Sequence, residues 1–173
     1  ASQEDKTVIR IAAMGDMLAH DTVNLRAQTG ATYDYEQFLT NVKPFISNAD
    51  IVFCNQEGPS AGSDLGISGY PSFNAPEEFA YDLASFGCNT INLANNHLAD
   101  KGQDGVNQTR EVWDQIDTLA VAGANRSKAE QDAIQYFDIE GVRFAFIAFT
   151  DLSNNRSIPS HTINMFEAGI VGD

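Results

Sequence analysis

Carboxylate, amide and imidazole groups gather at three places in this chain. They are Gly15-Asp16, Asn55-Gln56-Glu57, and Asn95-Asn96-His97 with Asp100 just beyond. Each follows a strand-like run: Thr7 to Met14, Ile51 to Cys54, and Asn89 to Ala94. In an open α/β sheet, ligands collect beyond the carboxyl ends of the strands. Oxygen and imidazole donors converging there are what a divalent cation needs.

Taken singly, Asp16 is an aspartate in a turn, with Gly15 before it to allow the turn. His20 and Asp21 follow in the same loop, and His20 is either solvated or reaches the site from above. Glu57 alone reads as a loop surface charge, and in a site it would bridge metal ions or orient a metal-bound water. Asn95-Asn96-His97 is the most specific segment. Consecutive amides continue a strand poorly and favour turns. An Asn carbonyl oxygen is also a hard metal ligand, and the adjacent imidazole can bind metal or act as a general acid. Asp100 is placed to accept a hydrogen bond from His97 and set its tautomer. The candidate metal ligands are therefore Asp16, Glu57, an amide of the Asn95-Asn96 pair and His97, and the candidate catalytic pair is His97 with Asp100.

The elements that must position these groups alternate. Strands are expected near 7–14, 50–54, 89–94 and 119–123. Helices are expected over 35–47 with Pro44 in the last turn, from a start at Asn74 or Ala75 to Phe86 with a stop at Gly87, and over 103–119. Residues 55–75 form a long loop holding Gly58, Pro59, Gly62, Gly66, Gly69 and Pro71. Loops of that length in a compact domain are usually functional or disordered. Residues 133–139 and 142–150, split by Glu140-Gly141, read as a hairpin. Alternating strands and helices imply a parallel sheet, and the hairpin adds either a mixed sheet or a second sheet.

The chain has 173 residues, 43% hydrophobic, and a formal net charge of -14. That length suits one domain. The charge repels phosphate backbones, so nucleic acid is not an expected partner. No apolar run approaches the ~18 residues of a membrane span. No nucleotide-binding glycine loop, nucleophile elbow or CxxC pattern occurs. Ala1-Ser2-Gln3-Glu4-Asp5-Lys6 has no initiator Met and no signal peptide. It reads as a mature N-terminus and suggests an extracellular or cell-envelope location. Cys54 and Cys88 are expected as two free, buried thiols, because parallel neighbouring strands would hold them several residues apart.

At its motifs the chain resembles the bacterial capsule-synthesis family of the CapA type, associated with poly-γ-glutamate capsules. The matching stretches are Ala13 to Leu18, Asn55 to Pro59, Phe73 to Pro76, Leu93 to Gly105, Ala122 to Asn125 and Val142 to Thr150. The resemblance implies a calcineurin-like metallophosphatase α/β fold, an αββα sandwich. This chain would supply its N-terminal portion, with a mixed parallel sheet and a closing hairpin. It implies Asp16 as first-strand metal ligand, Glu57 where a bridging Asp often stands, Asn96 as amide ligand and His97 as acid.

The implied cofactor is a divalent metal (Mn, Mg, Zn or Fe), and the implied chemistry is metal-dependent hydrolysis or transfer. The partners would be a polymer or phosphate-ester substrate and cell-envelope assembly proteins. The alternative is a non-catalytic envelope scaffold that keeps the fold. Two departures stand out. Leu18 occupies the place of a His often found after the first Asp, and His161 is the last histidine, so the family's later histidine segments are missing. The expected layout is a polar tail over 1–6 and a CapA-type domain over 7–173, incomplete at its C-terminal end and short of metal ligands.

Overall fold

A computed structural model describes residues 6–166. All but Lys6 of the expected tail over 1–6 lies outside the described residues. In chain order the elements are β1 (Ile11–Leu18), α1 (Asp21–Ala27), β2 (Gln28–Thr29), β3 (Thr32–Tyr33), α2 (Glu36–Leu39), α3 (Lys43–Ile46), β4 (Ile51–Glu57), α4 (Glu78–Phe86), β5 (Thr90–Asn92), α5 (Gly102–Trp113), β6 (Ala120–Ala122), α6 (Lys128–Gln131), β7 (Gln135–Ile139) and β8 (Val142–Phe146). Strands β1, β4, β5 and β6 form a parallel sheet in the order β1-β4-β5-β6. Strands β7 and β8 pair antiparallel in a separate two-stranded sheet, which is the second of the two arrangements expected.

The first strand lies further along than its hydrophobicity suggests. Residues 7–10 stay outside it, and pairing runs from Ile11 opposite Ile51 to Leu18 opposite Glu57. The register shifts between Met14 and Asp16, so Gly15 is the extra residue of a bulge. Asp16 therefore sits inside β1 rather than after it. Likewise Glu57 is the last residue of β4, not a loop residue. Backbone pairing carries both strands into the polar motifs, which composition alone marks as their ends.

The helix expected over 35–47 splits into α2 and α3, with Pro44 in the first turn of the second. Phe38 and Phe45 remain exposed while Ile46 is buried. Helix α4 follows expectation. It buries Phe79, Ala80, Leu83 and Phe86, and stops at Gly87, whose φ of +132° suits glycine. Its start differs. Asn74 caps no helix; its buried amide instead ties the 58–75 loop together, receiving Ala61 N–H at 3.0 Å and donating to Gly62 and Gly66 carbonyls. Helix α5 ends at Trp113, six residues early, and Leu119 already donates to Asn89 across the sheet.

Glu140 and Gly141 both have positive φ, at +50° and +79°, the combination a tight two-residue hairpin turn requires. The hairpin pairs to Phe146, short of the expected Thr150. Helices α1 and α6, absent from the sequence reading, are capped by His20 and Ser127 side chains.

The core lies between the parallel sheet and helices α4 and α5, with Cys54, Leu83, Ile91, Leu93, Val106 and Trp113 at its centre. It corrects the reading of the cysteines. Cys54 and Cys88 form a disulfide with their Cα atoms 5.8 Å apart. The expectation of free thiols placed Cys88 in line with β5. In the fold it follows the Gly87 turn at the end of α4, and its N–H bonds back to Leu83, within the helix end. The helix delivers Cys88 close to Cys54 instead of leaving it three positions down the sheet.

Candidate functional site

Strand alternation sorts the residues of Asn55-Gln56-Glu57 between two faces. Gln56 turns into the core, fully buried, where Trp113 Nε1 donates to its Oε1 at 2.9 Å and its own Nε2 donates to the Gly58 carbonyl. Asn55 and Glu57 face the other way, towards Asp16 of the neighbouring strand. Asn55 Nδ2 donates to Asp16 Oδ1 at 2.6 Å, and Asn92 Nδ2 donates to Asn55 Oδ1 at 2.6 Å. Asn92 Oδ1 in turn accepts the N–H of Ala94 at 3.1 Å. A row of amides across β1, β4 and β5 thus orients the first carboxylate.

Glu57 is held above the ordinary carboxylate range. Burial is the main cause, and the charge of Asp16 and a hydrogen bond with Asp16 add to it, while nearby His97 acts the other way. Two carboxyl groups in contact share a proton or a cation more readily than they ionise together.

The third segment divides its labour. Asn95 is buried and entirely structural. Its Oδ1 accepts Gly58 N–H and His97 N–H, both at 3.2 Å, and its Nδ2 donates to the carbonyls of Gln56 and Leu93. Asn96 is half-buried, and among the described residues its side chain makes no hydrogen bond. His97 Nδ1 lies 2.7 Å from Asp100 Oδ2, with side-chain exposures of 12% and 4%. The same oxygen accepts the backbone N–H of Phe73 at 2.8 Å. A carboxylate that already accepts one N–H makes Nδ1 the protonated nitrogen of the neutral ring and leaves Nε2 as its free one.

The loops are locked around this pair. The Phe73 ring packs edge-on against His97, with centroids 4.6 Å apart at 82°. His20 also packs edge-on against the Phe73 ring, with centroids 5.6 Å apart. It thus reaches the site through Phe73, while its own Nδ1 caps α1. The end of β6 passes so close that a Cβ on Gly123 would stand 2.5 Å from the Ala94 nitrogen, and φ there is +102°. A cleft of about 270 Å³ opens beside Asp16, walled by Met17, Leu18, Tyr35, Phe38 and Phe79.

All five residues singled out by sequence, Asp16, Glu57, Asn96, His97 and Asp100, come to the carboxyl-end side of the parallel sheet. Their donor chemistry suits a hard cation only in part. Among the described residues, no three or more His, Cys, Asp or Glu are grouped to hold a metal ion. His97 Nδ1 is committed to Asp100, and Asp16 and Glu57 are only two carboxylates. The described residues do not by themselves fit a complete metal centre.

Sequence reasoning assigned no role to Asn55, Asn92 or Phe73, and missed Asn154, whose amide lies 3.1 Å from His97 Nδ1. Asn55 and Asn92 carry a readable signal, since amides inside strands need a partner. Asn154 lies in a loop and carries none.

Comparison with known proteins fits this geometry. The profile of the bacterial capsule synthesis protein family, PGA_cap, matches residues 10–168. The capsule biosynthesis protein CapA of Bacillus anthracis is 30% identical over 129 residues, covering 69% of this chain and 30% of that protein. The chain thus spans less than a third of the length of this curated relative. The parallel sheet with flanking helices agrees with the metallophosphatase-like fold of the family.

Proposed function

Because this chain belongs to the bacterial capsule synthesis protein family, we propose that it acts on a capsule polymer of the poly-γ-glutamate kind through a proton-transfer site centred on His97. The observation that carries this reading is the His97–Asp100 pair at 2.7 Å, set beside the touching carboxyl groups of Asp16 and Glu57. Asp100 holds the ring by Nδ1 and fixes its orientation. Nε2 then carries the proton delivered to a leaving oxygen or nitrogen during hydrolysis or transfer. Asp16, oriented by Asn55, and Glu57 position the reacting group on the side next to the apolar cleft.

Asp16, Glu57 and Asn96 are the donors that a divalent cation would meet here, and no step above depends on one. The Cys54–Cys88 disulfide favours an extracellular or cell-envelope setting, since such bonds persist in oxidising compartments.

The test is His97→Ala in the whole protein, in cells that depend on it for capsule. Capsule polymer should fall at least tenfold, with the protein still folded and present; an unchanged amount would sink the role of His97. The alternative is a non-catalytic assembly protein that keeps the fold. The same substitution separates the two: a fall in capsule polymer with folded His97→Ala protein favours the enzyme, and an unchanged amount favours the scaffold.

A further inference from the structure

The loop after β8 lays one residue onto the site from far along the chain. Asn154 Nδ2 stands 3.1 Å from His97 Nδ1 and 3.3 Å from His97 Nε2. Ring-nitrogen lone pairs lie in the imidazole plane and point away from each other. A group nearly equidistant from both nitrogens serves neither lone pair, and in the plane it would collide with the carbon between them. The amide therefore lies over a face of the ring. Asn154 is exposed and the His97 side chain is nearly buried, so the amide stands between the imidazole and solvent.

The backbone around Asn154 is fastened independently of its side chain. Asn154 N–H donates to the Asn96 carbonyl at 2.9 Å, and Asn155 Nδ2 donates to the Ala99 carbonyl at 2.9 Å. These bonds clamp the 153–155 segment onto the Asn95–Asp100 turn. The side chain of Asn154 is thereby held over the ring by a mount that does not need it.

We propose that Asn154 is a positioning residue for His97, a cover on the imidazole face that restricts the ring to the rotamer meeting Asp100. Phe73 confines the ring edge-on, Asp100 takes Nδ1, and Asn154 closes the face, so the ring is held in one orientation and screened from solvent. The purpose assigned to this cover rests on the proton-transfer reading of His97; its placement does not.

Acylation by diethyl pyrocarbonate, which attacks the unprotonated imidazole nitrogen, reads the cover directly. The whole protein is treated and each histidine followed by peptide mass spectrometry. In Asn154→Ala the rate at His97 should rise several-fold while His20 and His161 keep theirs, and Asn154→Gln should restore the slow rate. An unchanged rate at His97 overturns the proposal. So does a rise shared by all three histidines, which reads general loosening, and so does a rise that glutamine fails to reverse. If His97→Ala leaves capsule polymer intact while acylation follows the expected pattern, the functional reading fails and the positioning stands.

Discussion

Around Asn95, Asn74 and Gln56 the buried amides are spent on backbone and side-chain partners from several loops. The β7–β8 hairpin is different: it turns Tyr136 and Val142 to solvent, with Ile147 and Phe149 exposed just beyond. Its stacked Phe137–Phe144 pair and the Phe53–Phe146 contact are its main aromatic ties. The contrast shows where this chain invests in fixed geometry. Buried polar networks that are fully satisfied specify one arrangement, because any slip leaves an unpaired group. Apolar contact is tolerant of small displacement. The strand end at Glu57 and the turn that carries Asn96 and His97 are built the first way, the hairpin the second.

The largest test of that contrast is the disulfide. It ties β4 to the end of α4 across 34 residues. Replacing Cys54 and Cys88 together by Ala should cost about 3–4 kcal/mol, by the chain-entropy account of loops of that length. Urea unfolding of the paired proteins measures it. Hydrogen exchange should then accelerate in β4 and β5 more than in the hairpin. A uniform acceleration would break the distinction between the regions.

Next in size is Asn95→Ala against Tyr136→Ala. The first strands the N–H groups of Gly58 and His97 and the carbonyl of Gln56. At about 1–3 kcal/mol for each buried group left unpaired, with some rescue by water, a loss of about 2–3 kcal/mol is expected. The second removes a half-exposed ring that stacks under Arg143 at 4.8 Å. That should cost about 1 kcal/mol or less. Equal losses in the same urea titrations would contradict the division.

The smallest effect concerns the strain inside the site. The folded state holds the pKa of Glu57 above its unfolded value, chiefly by burial. Below the unfolded pKa both states are protonated and nothing is lost. As pH rises through the folded pKa, the folded protein must ionise a disfavoured group and stability falls. Glu57→Gln removes that penalty. Its melting temperature should exceed that of the unmodified protein by a few degrees or less near pH 7, and the gap should close near about pH 4. A gap independent of pH would mean that Glu57 does not titrate as placed.

Much of the fold was legible. Gly87 announced the end of α4, although Asn74 misplaced its start, and Glu140-Gly141 announced the hairpin turn. The misreadings share one origin. Strand ends, the split of α2 from α3 and the early stop of α5 are decided by partners elsewhere in the chain. Leu119, for example, leaves the helical pattern because Asn89 accepts its N–H. Within Asn95-Asn96-His97 the residues were visible but their roles were not. The neighbouring amides look alike in sequence, and only burial separates Asn95, which braces the loops, from Asn96, whose side chain makes no hydrogen bond among the described residues.

By itself, the sequence determined that polar groups stand where three parallel strands run out, and it carried the family motifs at those same residues. Local composition and periodicity suffice for that, since strand direction and side-chain alternation are properties of short segments. The tertiary structure alone decided that Cys54 meets Cys88, that Asp16 is braced by Asn55 and Asn92, and that Asn154 covers His97 from 57 residues away. Those contacts depend on the paths of intervening loops, which no residue spacing encodes.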